Sequence, residues 1–420
     1  MERSSISDLE RFLPARIREG LALLSPETRV AWLWDLLTGL CAGVYQGCIW
    51  TFVARVARKE LLATNSQMGW MSAAPALGYL FATVWARQMD GKAKMPFVFW
   101  TWICSRGLFL FTPFLAARNP FIFLVCATPI IFSISTPAYV AIMKDIYPDA
   151  LRGRLMSYVR MGVYIMTLIT SLCVGRLLDK GLPWQTVFSI GGLFGVLTAF
   201  AFKQIPLPPL PIQTTPTAST REFFRDTLQI LRRNVGFRLF LFSVFVSGFG
   251  NIISATLIPL QQVDNFHVSN TDVANLQNIS SVATIIGFGF WGSFMDRRGS
   301  LAAVLLAIGF NLTVPAIYAF THDIHWLYVA SATMGLTGSG IELAYVTTIL
   351  MFAEEGKAAQ YQALHSSFFG IRGTIAPQCA IPLLSIVGMR TSFTIALAIL
   401  FCGAILQAVA MRGYRTGEVG

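Results

Sequence analysis

With 420 residues, 55 % hydrophobic and only 13 % charged, and a mean hydropathy of +0.60, the chain is too apolar for an ordinary soluble domain, in which roughly a quarter of residues are charged. Its formal net charge of +11 does not indicate nucleic acid, because the basic residues sit in short segments between apolar runs rather than in a basic domain. The composition fits a chain immersed in a lipid bilayer, with Lys and Arg flanking its spans.

Residues 1–29 are polar and of mixed charge, without a signal-peptide pattern. Ser7-Asp8-Leu9-Glu10 reads as a capping box, and Phe12, Leu13, Ile17 and Leu21 fit one helical face. This segment is either a short cytoplasmic helix on the membrane surface or disordered. A spanning helix needs roughly twenty apolar residues. Stretches 30–54, 65–88, 96–116, 119–143, 155–178 and 183–203 satisfy that in a first domain, 30–203. Stretches 236–262, 271–294, 301–320, 325–352, 360–387 and 390–411 do so in a second, 236–411. Between them lies a polar linker, 204–235, and after them a tail, 412–420. The linker opens with Pro206, Pro208, Pro209 and Pro211, which cannot continue a helix. It continues with a capping box, Ser219-Thr220-Arg221-Glu222, and Phe224, Leu228 and Leu231 on one face of an amphipathic interfacial helix. The predicted fold is an all-α membrane protein of twelve transmembrane helices in two six-helix bundles.

A loop pattern repeats. Trp291-Gly292-Ser293-Phe294-Met295-Asp296-Arg297-Arg298-Gly299-Ser300 matches Trp85-Ala86-Arg87-Gln88-Met89-Asp90-Gly91-Lys92-Ala93-Lys94 at Trp, Met and Asp, 206 positions apart. Ala138-Tyr139-Val140 recurs as Ala344-Tyr345-Val346 at the same offset. Two matches at one offset indicate a duplicated unit, and an even number of spans per unit makes the halves parallel. Gly292 is expected to let two helices approach closely. The loop resembles the Gly-x-x-x-Asp-Arg-x-Gly-Arg motif of the major facilitator superfamily, found between the second and third helices of each half. That resemblance implies two pseudo-symmetric bundles, and a brace on the cytoplasmic side when the cavity opens outward. Gly292, Asp296, Arg297 and Gly299 would form the brace in the second copy, and Asp90 and Lys94 in the first. The copies depart from the motif at Ser300, Ala86, Gly91 and Ala93, the first more than the second. The plainer alternative is a basic turn that only fixes topology.

Orientation follows from the basic residues. With the N-terminus inside, 22 of the 32 Lys and Arg fall in cytoplasmic segments and 7 in the opposite loops, which places both termini in the cytoplasm of a cell membrane. Arg55-Val56-Ala57-Arg58-Lys59 is the exception, a basic cluster left outside. Arg106, Arg160 and Arg372 fall within spans.

A charge at mid-bilayer costs a few kcal/mol and so marks a functional candidate. Glu342 lies about 15 Å from the cytoplasmic end of its span, and Arg372 about 18 Å from that of the next, at ~1.5 Å per residue. They are level on neighbouring antiparallel helices. Their pairing would be either a coupling device, with Glu342 as proton carrier, or a static bridge. Asp35 sits nearer the cytoplasmic end of the first span. Arg106 must point into its own bundle, to a helix carbonyl or to Asp35. In the superfamily the first, fourth, seventh and tenth helices line the substrate path. At matching places this chain offers Gln46, Tyr139, Asn251 and Tyr345, among small hydroxyl residues that also serve helix packing. His365 is a further polar candidate, and His322-Asp323-Ile324-His325 a remote metal candidate.

The seven cysteines all lie in apolar runs and imply neither a disulfide framework nor a redox pair. No P-loop, catalytic triad, zinc spacing or dinucleotide loop is present, so an enzyme, a cofactor or ATP-driven transport by this chain is not expected. The expected function is a monomeric secondary active transporter of a small solute, working by alternating access and coupled to protons for uptake. A drug or metabolite exporter is the alternative within transport. The fifth span lacks the Gly-Pro-Gly-Gly-like signature of many exporters in the superfamily. A receptor or assembly factor that keeps the fold is the alternative of another class.

Overall fold

The computed structural model describes residues 25–81, 85, 88–89, 92–115, 117–207, 229–354 and 357–415. The surface helix expected before residue 25, most of the linker helix, Asp90, and the end of the tail lie outside these. Among the described residues the chain is helical throughout. The first half holds α1 (Pro26–Glu60), α2 (Asn65–Leu80), α3 (Met95–Phe114), α4 (Arg118–Ile146), α5 (Asp149–Asp179) and α6 (Trp184–Lys203). The second half holds α7 (Val235–Asp264), α8 (Asn270–Arg298), α9 (Ser300–Phe320) and α10 (His325–Phe352). Ala358–Arg415 completes it, broken at Gly388 (φ 78°) into α11 (358–387) and α12 (389–415).

Nine helices among the described residues are long and apolar enough to cross a membrane. The twelve stretches read from sequence reduce to nine for three reasons. α11 and α12 run on through Gly388 and count once. α2 has only 16 described residues. α8 carries so many polar side chains along the contact between the halves that its hydropathy falls below the rest.

Local sequence explains the boundaries. Pro26 occupies the first turn of α1, where its missing N–H costs nothing, and Ser25 Oγ accepts from the Thr28 backbone N–H. Thr64 with Gln67, and Ser269 with Asp272, form reciprocal capping boxes at the starts of α2 and α8. Gly299 ends α8 at φ 82°, a conformation that any side chain would strain, and α9 starts at the next residue. α1 contains a wide π turn over Gln46–Trp50, a form that gathers at functional sites.

Packing divides the molecule by level. One buried cluster is built from both halves. It joins Tyr45, Phe52 and Val56 of α1 to Leu257 and Leu260 of α7 and to Ala376 and Ala380 of α11, and lies toward the end of the molecule away from the chain termini. At the terminus end there are instead two clusters. One, around Trp32, Trp102 and Phe202, belongs wholly to the first half. The other, around Phe237, Trp291 and Tyr361, belongs wholly to the second. The halves are therefore fused at the far end and parted at the terminus end. They meet along α2 with α11 and α5 with α8.

Candidate functional site

The far end is held by a polar latch across the two halves. Arg58 of α1 forms a bidentate ion pair with Asp264 of α7, Nη2 to Oδ2 at 2.6 Å and Nε to Oδ1 at 2.9 Å. These residues are 206 positions apart, so the bridge joins counterpart positions, as residues beside a two-fold axis do. Arg55 is 5 % exposed and donates to the Val268 carbonyl and to Asn270 Oδ1 (3.0 and 2.6 Å). Asp179, at the end of α5, accepts from the backbone N–H groups of Asn270 and Thr271 and from their side chains, at 2.6–3.0 Å. It thus caps α8 from the other half, with a carboxylate at the positive end of a helix. The basic cluster that topology left outside is this latch. Its signal in the sequence was the anomaly itself.

Nearer the terminus end the halves part around a cavity of about 520 Å³. Met156, Arg160, Met161 and Tyr164 of α5 form one wall, and Ile285 and Phe288 of α8 with Leu343 of α10 the other. Arg160 crosses this gap to Glu342 of α10 in a charge-assisted bond, with both side chains about half exposed. A second cavity of about 210 Å³ lies beneath the latch, lined by Trp50, Arg55, Gln262, Gln277 and Ser331 among others.

This arrangement corrects the expected pair of Glu342 with Arg372. Arg372 is 5 % exposed, donates from Nη1 to the Val244 carbonyl of α7, and lies against the Tyr345 hydroxyl. The expected pairing rested on depth along the helices, whereas direction around them decides the partner. Ile341 and Tyr345, one turn apart, face the Arg372 side. Glu342 is turned about 100° from Ile341 and points across to α5. Arg160, the true partner, was visible only as one of three arginines within spans.

Arg106 also differs from expectation. It points into its own bundle, but its Nη1 donates to Thr198 of α6 rather than to Asp35. Its guanidinium stacks among Trp102, Tyr45 and Phe132, 4.2–5.4 Å from the ring centroids. Asp35, 2 % exposed, instead accepts from the Tyr147 hydroxyl at 2.7 Å, tying α1 to the residue that ends α4. Tyr139 joins the same aromatic cluster, against Trp102 and Phe202. Gln46 is exposed at the start of the π turn. Asn251 bonds Asn311 at 2.8 Å, and with Tyr345, His365 and Arg372 lines a cavity of about 200 Å³ inside the second half.

The second copy of the repeated loop is disengaged. Asp296 and Arg297 are exposed in the last turn of α8, with no ion pair to other described residues. Lys94 closes its own turn by donating to the Met89 carbonyl. A methyl group at Gly292 would meet nothing, so the close approach expected there is absent. The tight contact of α8 with α10 lies instead at Gly335, against the Ser280 backbone, and at Gly340, against the Trp291 ring. Trp291 is fully buried and donates to the Leu336 carbonyl at 2.7 Å. At the opposite end His325 and Asp323 bond each other at the start of α10. The His325 backbone N–H holds the Asp323 carboxyl below the usual carboxylate range. No group of three metal-ligating side chains occurs among the described residues.

A family model described as Major Facilitator Superfamily matches residues 35–377 and 239–418. The chain belongs to the major facilitator superfamily. It is a multi-pass membrane transporter by family. A crystal structure of a mutant of the nucleoside transporter NupG superposes with a TM-score of 0.72 over 90 % of this chain and 99 % of that one, at 11 % identity. A bacterial homologue of the human lysosomal transporter Spinster, solved in an inward-facing and unoccupied conformation, superposes with a TM-score of 0.65 over 94 % and 98 %, at 17 % identity. At these identities the likeness is one of fold. No curated protein sequence matches the chain.

Proposed function

We propose that this superfamily member is a secondary active transporter that takes up a small solute by alternating access, with Glu342 carrying the coupling proton. The observation that supports it is the Arg160–Glu342 bridge, which spans the gap between halves that are fused at one end and parted at the other. Protonating Glu342 removes the charge that holds Arg160. The bridge then opens, and the two walls of the cavity are free to move relative to each other. A bridge that depends on protonation and joins two mobile bodies couples a proton to their motion. Both termini lie in the cytoplasm, as the Lys and Arg bias argues, so the state described is open inward. The exposed Asp296 and Arg297 agree with this, since a cytoplasmic brace has no partner while that side is open. Export by the same bridge is the second reading, favoured by the apolar lining of the 520 Å³ cavity.

Proteoliposome uptake of a panel of labelled solutes, driven by an acid-outside pH jump, tests this. The wild type should accumulate its solute, whereas Glu342→Gln should lose pH-driven accumulation and keep solute exchange without a gradient. Accumulation by Glu342→Gln equal to wild type would remove Glu342 from the mechanism.

A further inference from the structure

The second half contains a buried cation with no counter-charge paired to it among the described residues. Arg372 is 5 % exposed, and among the described residues no carboxylate forms an ion pair with it. Its Nη1 is used by the Val244 carbonyl, while its Nε has no hydrogen-bond partner. Arg106, a buried arginine deep in the first half, has three aromatic faces packed on its guanidinium. Arg372 has one, Phe369 at 5.3 Å; the Tyr345 hydroxyl and Gly248 also lie against it, and it borders a cavity.

That space is the cavity of about 200 Å³ between α7, α9, α10, α11 and α12. Its polar side chains are Arg372, His365, Tyr345, Asn251, Asn311 and Ser247. His365 Nε2 is buried and also without a partner. The remaining wall is apolar, with Ile252, Ile308, Ile341 and Leu400. Phe369, on its boundary, stacks edge-on against Tyr79 of α2 at 5.9 Å, so the cavity abuts the contact between the halves. Gly248 is part of the design, because a methyl group there would overlap the Arg372 guanidinium.

We propose that this cavity binds the carboxylate of a small organic monoanion, with Arg372 as its counter-charge. A guanidinium without a counter-charge in a low-dielectric interior is costly, and a carboxylate in the cavity that Arg372 lines relieves that cost with charge-assisted bonds. One arginine balances one negative charge. The apolar wall takes a short hydrocarbon body that an inorganic ion would leave uncovered. The volume is below the ~300–1,000 Å³ of sites for drug-sized ligands, which sets the size class. This inference names the solute of the transporter reading and rests on it, but its own test reads binding.

The test is titration of the purified full-length protein in detergent with butyrate and valerate, beside butyramide, butylamine and chloride, read by calorimetry and thermal shift. Butyrate or valerate should bind and raise the melting temperature, and the amide, amine and chloride should not. Arg372→Gln should weaken binding about tenfold to a hundredfold, the range of a lost charged hydrogen bond. Ile308→Phe fills the cavity without touching the arginine and should also weaken binding, so the proposal stays testable if Arg372→Gln misfolds. Equal binding of butyramide, equal stabilisation by chloride, unchanged butyrate affinity in Arg372→Gln, or no carboxylate binding at all would each overturn the assignment. pH-driven uptake of another solute alongside no carboxylate binding would overturn this pocket and leave the transporter reading intact.

Discussion

Arg106, Arg160 and Arg372 lie deep within the spans, and each has its charge met in a different way. Arg106 is met by aromatic faces and a threonine hydroxyl, Arg160 by a carboxylate of the opposite half, and Arg372 by a carbonyl and an open cavity. The planar guanidinium of Arg106 stacks on Trp102, an interaction worth about 2 kcal/mol when desolvated. Lysine cannot stack in that way. Arg106→Lys should therefore lower the melting temperature measured in detergent while leaving the pH dependence of uptake unchanged. A changed pH dependence would place Arg106 in the coupling mechanism instead. The candidates within spans were found in the sequence by a general rule, that charge in lipid needs a reason. Their partners were not, because a partner depends on the direction in which a side chain leaves its helix. The rise of ~1.5 Å per residue gives depth, but direction also needs the neighbour's position. Asp35 illustrates the limit. Its partner Tyr147 follows the end of α4, 112 positions away, and no local pattern links the two.

Helices were more legible than contacts. The expected stretches 236–262 and 325–352 became Val235–Asp264 and His325–Phe352, because an apolar run bounded by caps and polar turns is a local property. α8 was read as an ordinary span, yet its polar residues serve the contact between the halves: Asn270 takes Arg55 and Asp179, and Asn278 takes Ser171. The glycines of the α8–α10 contact separate a motif glycine from a packing glycine. Gly335→Ala would drive a methyl into the Ser280 backbone and should destabilise the fold by about 1–3 kcal/mol, the range for an overpacked core. Gly292→Ala meets open space and should stay within about 0.5 kcal/mol of wild type. Thermal unfolding of both variants checks this, and equal losses would show that the contact lies elsewhere. Gly299 is a third case: its φ of 82°, not its size, keeps other residues out.

At the scale of the whole molecule, one shared core faces two separate ones. The latch of Arg55, Arg58, Asp179, Asp264 and Asn270 stands at the fused end, and the Arg160–Glu342 bridge spans the parted region. The twofold likeness was legible because duplicated sequence keeps its offset, and the Arg58–Asp264 pair carries the same offset of 206. Which end was closed was not legible, since that depends on contacts between distant segments. Arg58 and Asp264 are partly exposed, and such pairs are worth about 1 kcal/mol or less, so their loss shifts a two-state balance severalfold without unfolding the protein.

The most direct measurement is a pair of distances in the reconstituted protein, read by spin labels at counterpart positions. Lys59 with Asn265 reports the latch end, and Asp145 with Met351 the terminus end. In the wild type the first distance should be short and the second long; Asp264→Arg, which sets two cations face to face in the latch, should lengthen the first and shorten the second together. Two distances that stay unchanged, or that move in the same direction, would contradict rocking of the halves about a central site.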